Sequence, residues 1–190
     1  MPIPSSHENK AELRRRCRTM IVADPVDYSR AITSEVARLL AEHPDWRCIA
    51  TFFPLAGEPD LRLLSGSFPD RGFVYPRMEG SDMTFHRVTD PTAELTPTRW
   101  NLREPLAELP LVTHEEINVM LCPGMAFDTK GRRLGKGRGF YDRYLADSHP
   151  GSPFLIGVTF STYLFCQIPH ESHDVTMDLV VTEKGAIMPK

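Results

Sequence analysis

Three short, almost uninterrupted apolar runs constrain the fold most: CIATFF at residues 48–53, INVMLC at 117–122 and FLIGVTF at 154–160. A strand that is apolar toward both sides must be covered on both, which is the situation of a central strand in a parallel sheet. Helical patterns alternate with these runs. Asp24 and Pro25 make an N-cap and first-position pair, and Val26, Ala31, Ile32, Val36, Leu39 and Leu40 follow at helical spacing before Pro44. Ser5 and Glu8 have capping-box spacing and predict a helix running through Lys10 to Met20. Further strands are expected at 72–75, 83–88 and 179–182, a helix start at 61–64 and a short helix at 141–146. Residues 90–110 are proline-rich and predict an extended connector with little helix. The alternation predicts an α/β fold of three α/β/α layers with a mainly parallel central sheet, in a single domain over residues 1–190.

The glycines and charges place the chemistry. Residues 128–144, DTKGRRLGKGRGFYDRY, carry Gly131, Gly135, Gly137 and Gly139 interleaved with Lys130, Arg132, Arg133, Lys136, Arg138 and Arg143. The whole chain has a formal net charge of −3, so this positive charge is local. Glycine allows close backbone approach and positive φ, letting successive N–H groups converge on an anion, and the following helix start adds its own N–H groups. We read the stretch as a phosphate cradle, with a solvated basic turn as the alternative. It is not the P-loop pattern, because Gly137 follows Lys136 where Ser or Thr should stand, and its third glycine comes too early for G-x-G-x-x-G. Lys10 and Arg14 are four apart and share a helix face, able to present two cations to one anion or merely a solvated face. Glu58 and Asp60 follow the first apolar run, at the strand end where open α/β sheets bind ligands. Trp100, in the connector, either packs on the core or offers a stacking surface. His170, His173 and Asp174 share a polar loop, but without a helical H-x-x-x-H pair they make a poor transition-metal site.

Net charge and an isoelectric point near 6.2 argue against a general binder of nucleic acid or membrane surfaces. No run approaches the ~18 apolar residues of a membrane span. The first ten residues lack an apolar signal core, and Glu8 and Glu12 speak against a transit peptide, so a cytoplasmic protein is expected. Cys17, Cys48, Cys122 and Cys166 form no C-x-x-C pair and are expected to be reduced and structural.

PGMAFDTKGRRLGKGRGFYDRYL, residues 123–145, resembles the signature of the 5-formyltetrahydrofolate cyclo-ligase family, also called methenyltetrahydrofolate synthetases. Collinear matches extend over nearly the whole chain: Lys10, Leu13 and Arg14; Phe53 to Glu58 and Asp60; Pro76-Arg77; TRWNLREP around Trp100; then IGVTFS, Gln167, Pro169, His173-Asp174 and Val181-Thr182-Glu183. The resemblance implies Mg²⁺- and ATP-dependent conversion of 5-formyltetrahydrofolate to 5,10-methenyltetrahydrofolate by a monomer. Carried over, it puts Lys10 and Arg14 on ATP phosphates. The nucleotide loop becomes Arg133, Leu134, Gly135, Lys136, Gly137, Arg138, Gly139, Phe140 and Tyr141. Lys136 and Arg138 would neutralise the transferred phosphoryl group; Asp142 and Asp174 would hold Mg²⁺; Glu58 would orient the pterin; Phe53, Trp100 and Phe140 would pack around it. Phe140 and Met78 stand where relatives carry tyrosine or another aromatic residue. A non-catalytic nucleotide- or folate-binding paralogue, or an unrelated phosphate-handling enzyme such as a sugar-phosphate isomerase, remains the alternative.

Overall fold

Residues 8–98, 102–146 and 152–189 are described in a computed structural model of the chain. Its centre is an eight-stranded sheet in the order β13-β12-β10-β7-β1-β2-β3-β6. These strands are β1 (Cys48–Ala50), β2 (Gly72–Glu79), β3 (Asp82–Arg87), β6 (Leu111–Val112), β7 (Val119–Pro123), β10 (Phe154–Val158), β12 (Leu179–Thr182) and β13 (Gly185–Ile187). The five strands from β12 to β2 pair in parallel, and antiparallel strands close both edges. The apolar runs therefore occupy the parallel centre, where both faces are covered.

On one face Ile49, Val119, Leu121, Ile156 and Val181 pack with Leu13 of α1 (Lys10–Thr19) and with Ile32, Val36 and Leu40 of α2 (Pro25–Glu42). The four-residue spacing of the α2 residues is the apolar stripe expected from the sequence. On the other face Ala50, Val74, Met120, Cys122 and Val180 meet Phe127, Leu145, Leu164 and Met177. That layer is thin. It consists of a small sheet, β8 (Ala126–Asp128) between β9 (Arg133–Leu134) and β11 (Leu164–Phe165), and the five-residue helix α5 (Phe140–Tyr144).

Several local expectations shift. The capping box of α1 is made by Asn9 and Glu12: the Asn9 side chain accepts from the Glu12 N–H, and the Glu12 carboxylate from the Asn9 N–H. Ser5 lies outside the described residues, and Glu8 pairs with Arg16 instead. Asp24 caps α2 as expected, accepting from the Asp27 N–H. The helix expected at 61–64 is α3 (Leu64–Ser67). The proline-rich connector holds one turn, α4 (Pro91–Glu94), and an antiparallel hairpin of β4 (Leu95–Pro97) and β5 (Arg103–Pro105). Cys17, Cys48 and Cys122 are buried, Cys166 is exposed, and all four are free thiols.

Candidate active site

The basic loop is built from its base upward. Asp128, fully buried at the end of β8, accepts from the N–H groups of Lys130 and Arg132 through Oδ1 and of Ile168 through Oδ2, at 2.9–3.0 Å. This ties the turn at 129–132 to the core and returns the chain as β9. Residues 135–139 then cross the carboxyl ends of β1, β2 and β7. Gly137 and Gly139 take φ of +96° and +68°, a region a side chain would strain. Gly139 ends the crossing and caps α5. That helix has only five residues and so a small dipole, and the positive field here comes mainly from side chains.

The loop is a partition with a cavity on each side. On one side is an open polar cleft of about 530 Å³, reached by Lys10 and Arg14 of α1, by Arg133, Leu134, Gly135, Gly137, Gly139 and Asp142, and by Asp174. On the other is an apolar pocket of about 200 Å³, lined by Phe52, Phe53, Glu58, Pro76, Met78, Glu104, Lys136, Arg138, Phe140 and Tyr141 among others. Arg133, Gly135, Gly139 and Asp142 border both. Thus every residue that the resemblance assigns to ATP, folate or Mg²⁺ lines one cavity or both, except Trp100, which lies outside the described residues, whereas Lys130, Arg132 and Arg143 of the basic stretch line neither. Lys136 and Arg138 border the apolar pocket and do not reach the polar cleft with the rest of the loop.

The charges are paired across the site. Lys10 Nζ donates to both oxygens of Asp174, at 2.8 and 2.7 Å, and to Glu171 at 3.0 Å. Burial disfavours the Lys10 ammonium, but the bonds and charges of Asp174 and Glu171 outweigh it and raise its pKa. Burial likewise opposes ionised Asp174, and Lys10, the Glu171 N–H and His170 more than reverse that and lower its pKa. Arg14 Nε donates to Gly135 O at 2.8 Å, fastening α1 to the loop. Arg133, with its side chain 4% exposed, donates to Asp142 at 2.9 Å and lies 5.1 Å from the Tyr141 ring centre. Lys136 pairs with Glu58, whose other oxygen accepts from the Leu55 N–H at 2.9 Å. Burial pushes the Tyr141 hydroxyl far above its ordinary pKa, so it stays neutral.

Three further residues belong here: Arg143, read from the sequence only as one of the cradle cations, and Glu171 and Glu104, for which the sequence suggests no role. Arg143 reaches back to donate to Arg138 O and to Ser81 O, strapping the loop to the β2–β3 turn, and lies 5.2 Å from the Phe140 ring centre. Glu171 shares the Lys10 ammonium. Glu104 is buried in the apolar pocket. Its sequence signal is its place before Pro105 in the TRWNLREP match, which says nothing of burial. Asp60, by contrast, borders neither cavity and pairs with Arg62. Ligand atoms of Glu171, His173 and Asp174 lie within 4.8 Å of one another, but both Asp174 oxygens hold Lys10. No helix among the described residues is long and apolar enough to cross a membrane.

The strand ends, the glycine loop and its two cavities define an α/β protein with one polar, charge-lined compartment and one apolar compartment meeting at a shared wall. Comparison with known proteins makes the assignment specific. Residues 4–183 match the 5-formyltetrahydrofolate cyclo-ligase family, and the chain belongs to that family of ligases. It is 27% identical to the 5-formyltetrahydrofolate cyclo-ligase of Mus musculus over 187 residues, covering 92% of this chain and 91% of that one. Identity to the enzyme of the same name from Mycolicibacterium smegmatis is 41% over 95 residues, about half of each chain. Among solved structures, the NMR structure of Aquifex aeolicus 5,10-methenyltetrahydrofolate synthetase matches with a TM-score of 0.74 at 28% identity, covering 94% of this chain and 92% of that one. A 5,10-methenyltetrahydrofolate synthetase from Mycoplasma pneumoniae shares the fold at a TM-score of 0.72 and 19% identity, covering 92% and 96%.

Proposed function

We propose that the chain uses ATP and Mg²⁺ to convert 5-formyltetrahydrofolate into 5,10-methenyltetrahydrofolate, releasing ADP and phosphate. The observation that carries this reading is the shared wall: one loop borders a charge-lined polar cleft that holds Lys10, Arg14 and Arg133 and an apolar pocket suited to a flat ring. A formyl oxygen on nitrogen is a poor leaving group. Phosphoryl transfer to that oxygen makes an O–P bond, breaks the bond to ADP and creates a phosphate that can leave. N10 of the folate then attacks the formyl carbon, and the C–O bond breaks as phosphate departs and N10 loses its proton. Ring closure is intramolecular and gains from proximity, while phosphoryl transfer needs positioning and charge neutralisation.

In this reading Lys10 and Arg14 hold the phosphates, with Gly135, Gly137 and Gly139 keeping the wall close to them. Lys136 and Arg138, on the apolar side, face the group being transferred. Glu58 orients the pterin, and Phe53, Phe140 and Trp100 pack about it. Asp142 and Asp174 are oxygen donors bordering the same cleft, a donor set that suits Mg²⁺. The ion would supply charge neutralisation for the triphosphate there. Without ligands, each proposed metal or pterin carboxylate is paired to a proposed loop or phosphate cation: Asp174 to Lys10, Asp142 to Arg133, Glu58 to Lys136. With Mg-ATP bound, Lys10 and Arg133 would be free to meet phosphate oxygens and Asp174 and Asp142 to hold the ion, so no charge would be left buried alone in either state.

The same reading makes the chain a single-domain cytoplasmic monomer that acts on small molecules, with no nucleic-acid or membrane partner. Incubating the protein with 5-formyltetrahydrofolate, with and without Mg-ATP, should give the near-ultraviolet absorption of the methenyl product only when Mg-ATP is present. No product would sink the assignment, and folate or ATP binding without turnover would favour the non-catalytic paralogue.

A further inference from the structure

Three carboxylates line the apolar pocket, and two of them, Glu58 and Asp142, have a cation in contact. Glu58 is committed at both oxygens, to Lys136 through Oε1 and to the Leu55 N–H through Oε2. Glu104 stands on β5, opposite Thr96 of β4, and is only 7% exposed. No lysine or arginine among the described residues forms an ion pair with it. Arg77, whose charge acts on it, instead donates to Pro105 O at 2.7 Å and pairs with Glu79 at 3.5 Å. Its neighbour Arg103 turns away and donates to Leu95 O at 2.8 Å. Burial raises the Glu104 pKa above the ordinary carboxylate value, and the Thr98 hydroxyl, Arg77 and the Met78 backbone oppose the rise without cancelling it. The bonds from the Thr98 hydroxyl and the Met78 backbone leave further acceptor sites on a buried carboxylate that has no cation in contact, and a ligand that brings two donors would lower the cost of keeping it in an apolar wall.

We propose that Glu104 is a specificity residue of this pocket, receiving on its two oxygens the 2-amino group and the adjacent ring N3–H of the pterin. This rests on the folate reading above. The two N–H bonds of that edge are parallel and adjacent, the pattern a carboxylate accepts in a two-pronged bond. Glu58 differs from Glu104 in being held by a cation, Lys136 of the loop, so it serves the remaining ring donor, N8–H. The pocket therefore fixes the ring by its donor edge at the hairpin and presents the formyl group to the loop. A ring lacking the amino group loses half of the contact, so selectivity for 2-amino pterins resides in Glu104.

The test measures the affinity of wild type and Glu104→Gln for 5-formyltetrahydrofolate and for its 2-desamino analogue, without ATP. Glutamine keeps the shape but offers one acceptor and an opposing NH₂. It should weaken 5-formyltetrahydrofolate binding about 10- to 100-fold, as expected for lost bonds to a charged group, while leaving ATP affinity unchanged. Removing the 2-amino group should weaken wild-type binding by about tenfold and that of the variant by less than about threefold. Glu104→Asp, which keeps two oxygens, should recover part of the loss. Equal penalties for the analogue in both proteins, or wild-type affinity in Glu104→Gln, would overturn the proposal. Should Glu104→Gln fail to fold, a wild type that binds both ligands equally overturns it alone. Turnover is read separately. Methenyl product with binding indifferent to Glu104 rejects this role and keeps the cyclo-ligase. Binding that depends on Glu104 without any product does the reverse.

Discussion

The two cavities beside residues 135–139 are built on opposite principles. In the polar cleft charged groups sit on its edges, the amino-terminal helix and the loop at 170–174, and Lys10 meets its acids from there. In the apolar pocket, polar groups are few and held by the fold: Glu58 by a backbone N–H and a lysine, Glu104 by burial in a hairpin. A cleft of the first kind binds by exchanging ion partners and tolerates ligands of similar charge. A pocket of the second kind selects shape and donor pattern, because an unmatched buried group is penalised. The dividing loop belongs to both, so substitutions on it should separate the two behaviours.

The largest effect is expected at Arg138, on the pocket side of the wall. Arg138→Ala should lower turnover about 10²- to 10³-fold, the usual loss for a donor aimed at transition-state charge, while 5-formyltetrahydrofolate affinity stays within about threefold. Steady-state rates together with a folate titration check this. Equal loss in both would mean that the wall does not separate the functions. Next is Lys10 on the cleft side. Lys10→Met leaves Asp174 and Glu171 facing the triphosphate without their cation, so KM for ATP should rise about 10- to 100-fold with folate affinity unchanged. Glu58→Ala is the mirror case: folate affinity should fall about tenfold or more, with ATP binding spared. Weakened ATP binding in Glu58→Ala would show that Lys136, released from its partner, matters to the cleft.

These regions also differ in how plainly the sequence reveals them. The wall itself is contiguous, and its glycines and cations fall within residues 130–143, so local spacing alone suggests an anion site, although the cleft's cations Lys10 and Arg14 come from α1. The parallel centre was legible too, since both-face burial leaves continuous apolar runs. The apolar pocket gathers residues 52–58, 76–78, 102–104, 123–124 and 133–142, and no local pattern encodes that convergence. Glu104 in particular reads as an ordinary polar residue in a proline-rich connector; only packing of the hairpin buries it. The thin layer was missed in the same way, because β9 and β11 are two residues long and exist only by pairing with β8. The pairings of Lys10 with Asp174 and of Lys136 with Glu58 span 164 and 78 residues, so they too belong to the fold and not to any motif.

A smaller effect on stability should accompany Gly137→Ala. The substitution puts a side chain at φ +96°, which costs about 1–2 kcal/mol, and its Cβ would lie 3.5 Å from the Arg14 guanidinium carbon, ordinary contact. Urea unfolding should therefore show the loss without a clash-sized penalty. A larger drop would mean that the partition carries part of the global stability, not only the shape of the site.

The smallest effect separates two carboxylates only two residues apart. Asp60 follows the same strand end as Glu58, yet its carboxylate faces Arg62, with both side chains substantially exposed. Its position is held by the main chain, where its N–H donates to Ser29 Oγ and its carbonyl accepts from the Thr33 hydroxyl. Asp60→Asn should leave turnover and both affinities within about twofold and cost less than about 1 kcal/mol, the range of exposed pairs. The hydrogen bond from Arg62 is the main reason the Asp60 pKa lies below 3.8; burial opposes it, and the Arg62 N–H and charge assist. A lowered carboxylate pKa stabilises the fold above its unfolded value and loses that contribution as pH falls through the folded one. The melting-temperature gap between wild type and Asp60→Asn should accordingly be full at neutral pH and close below 3.8. A gap that widens toward acid, or a loss of folate affinity, would place Asp60 with Glu58 in the pocket and erase the contrast between them.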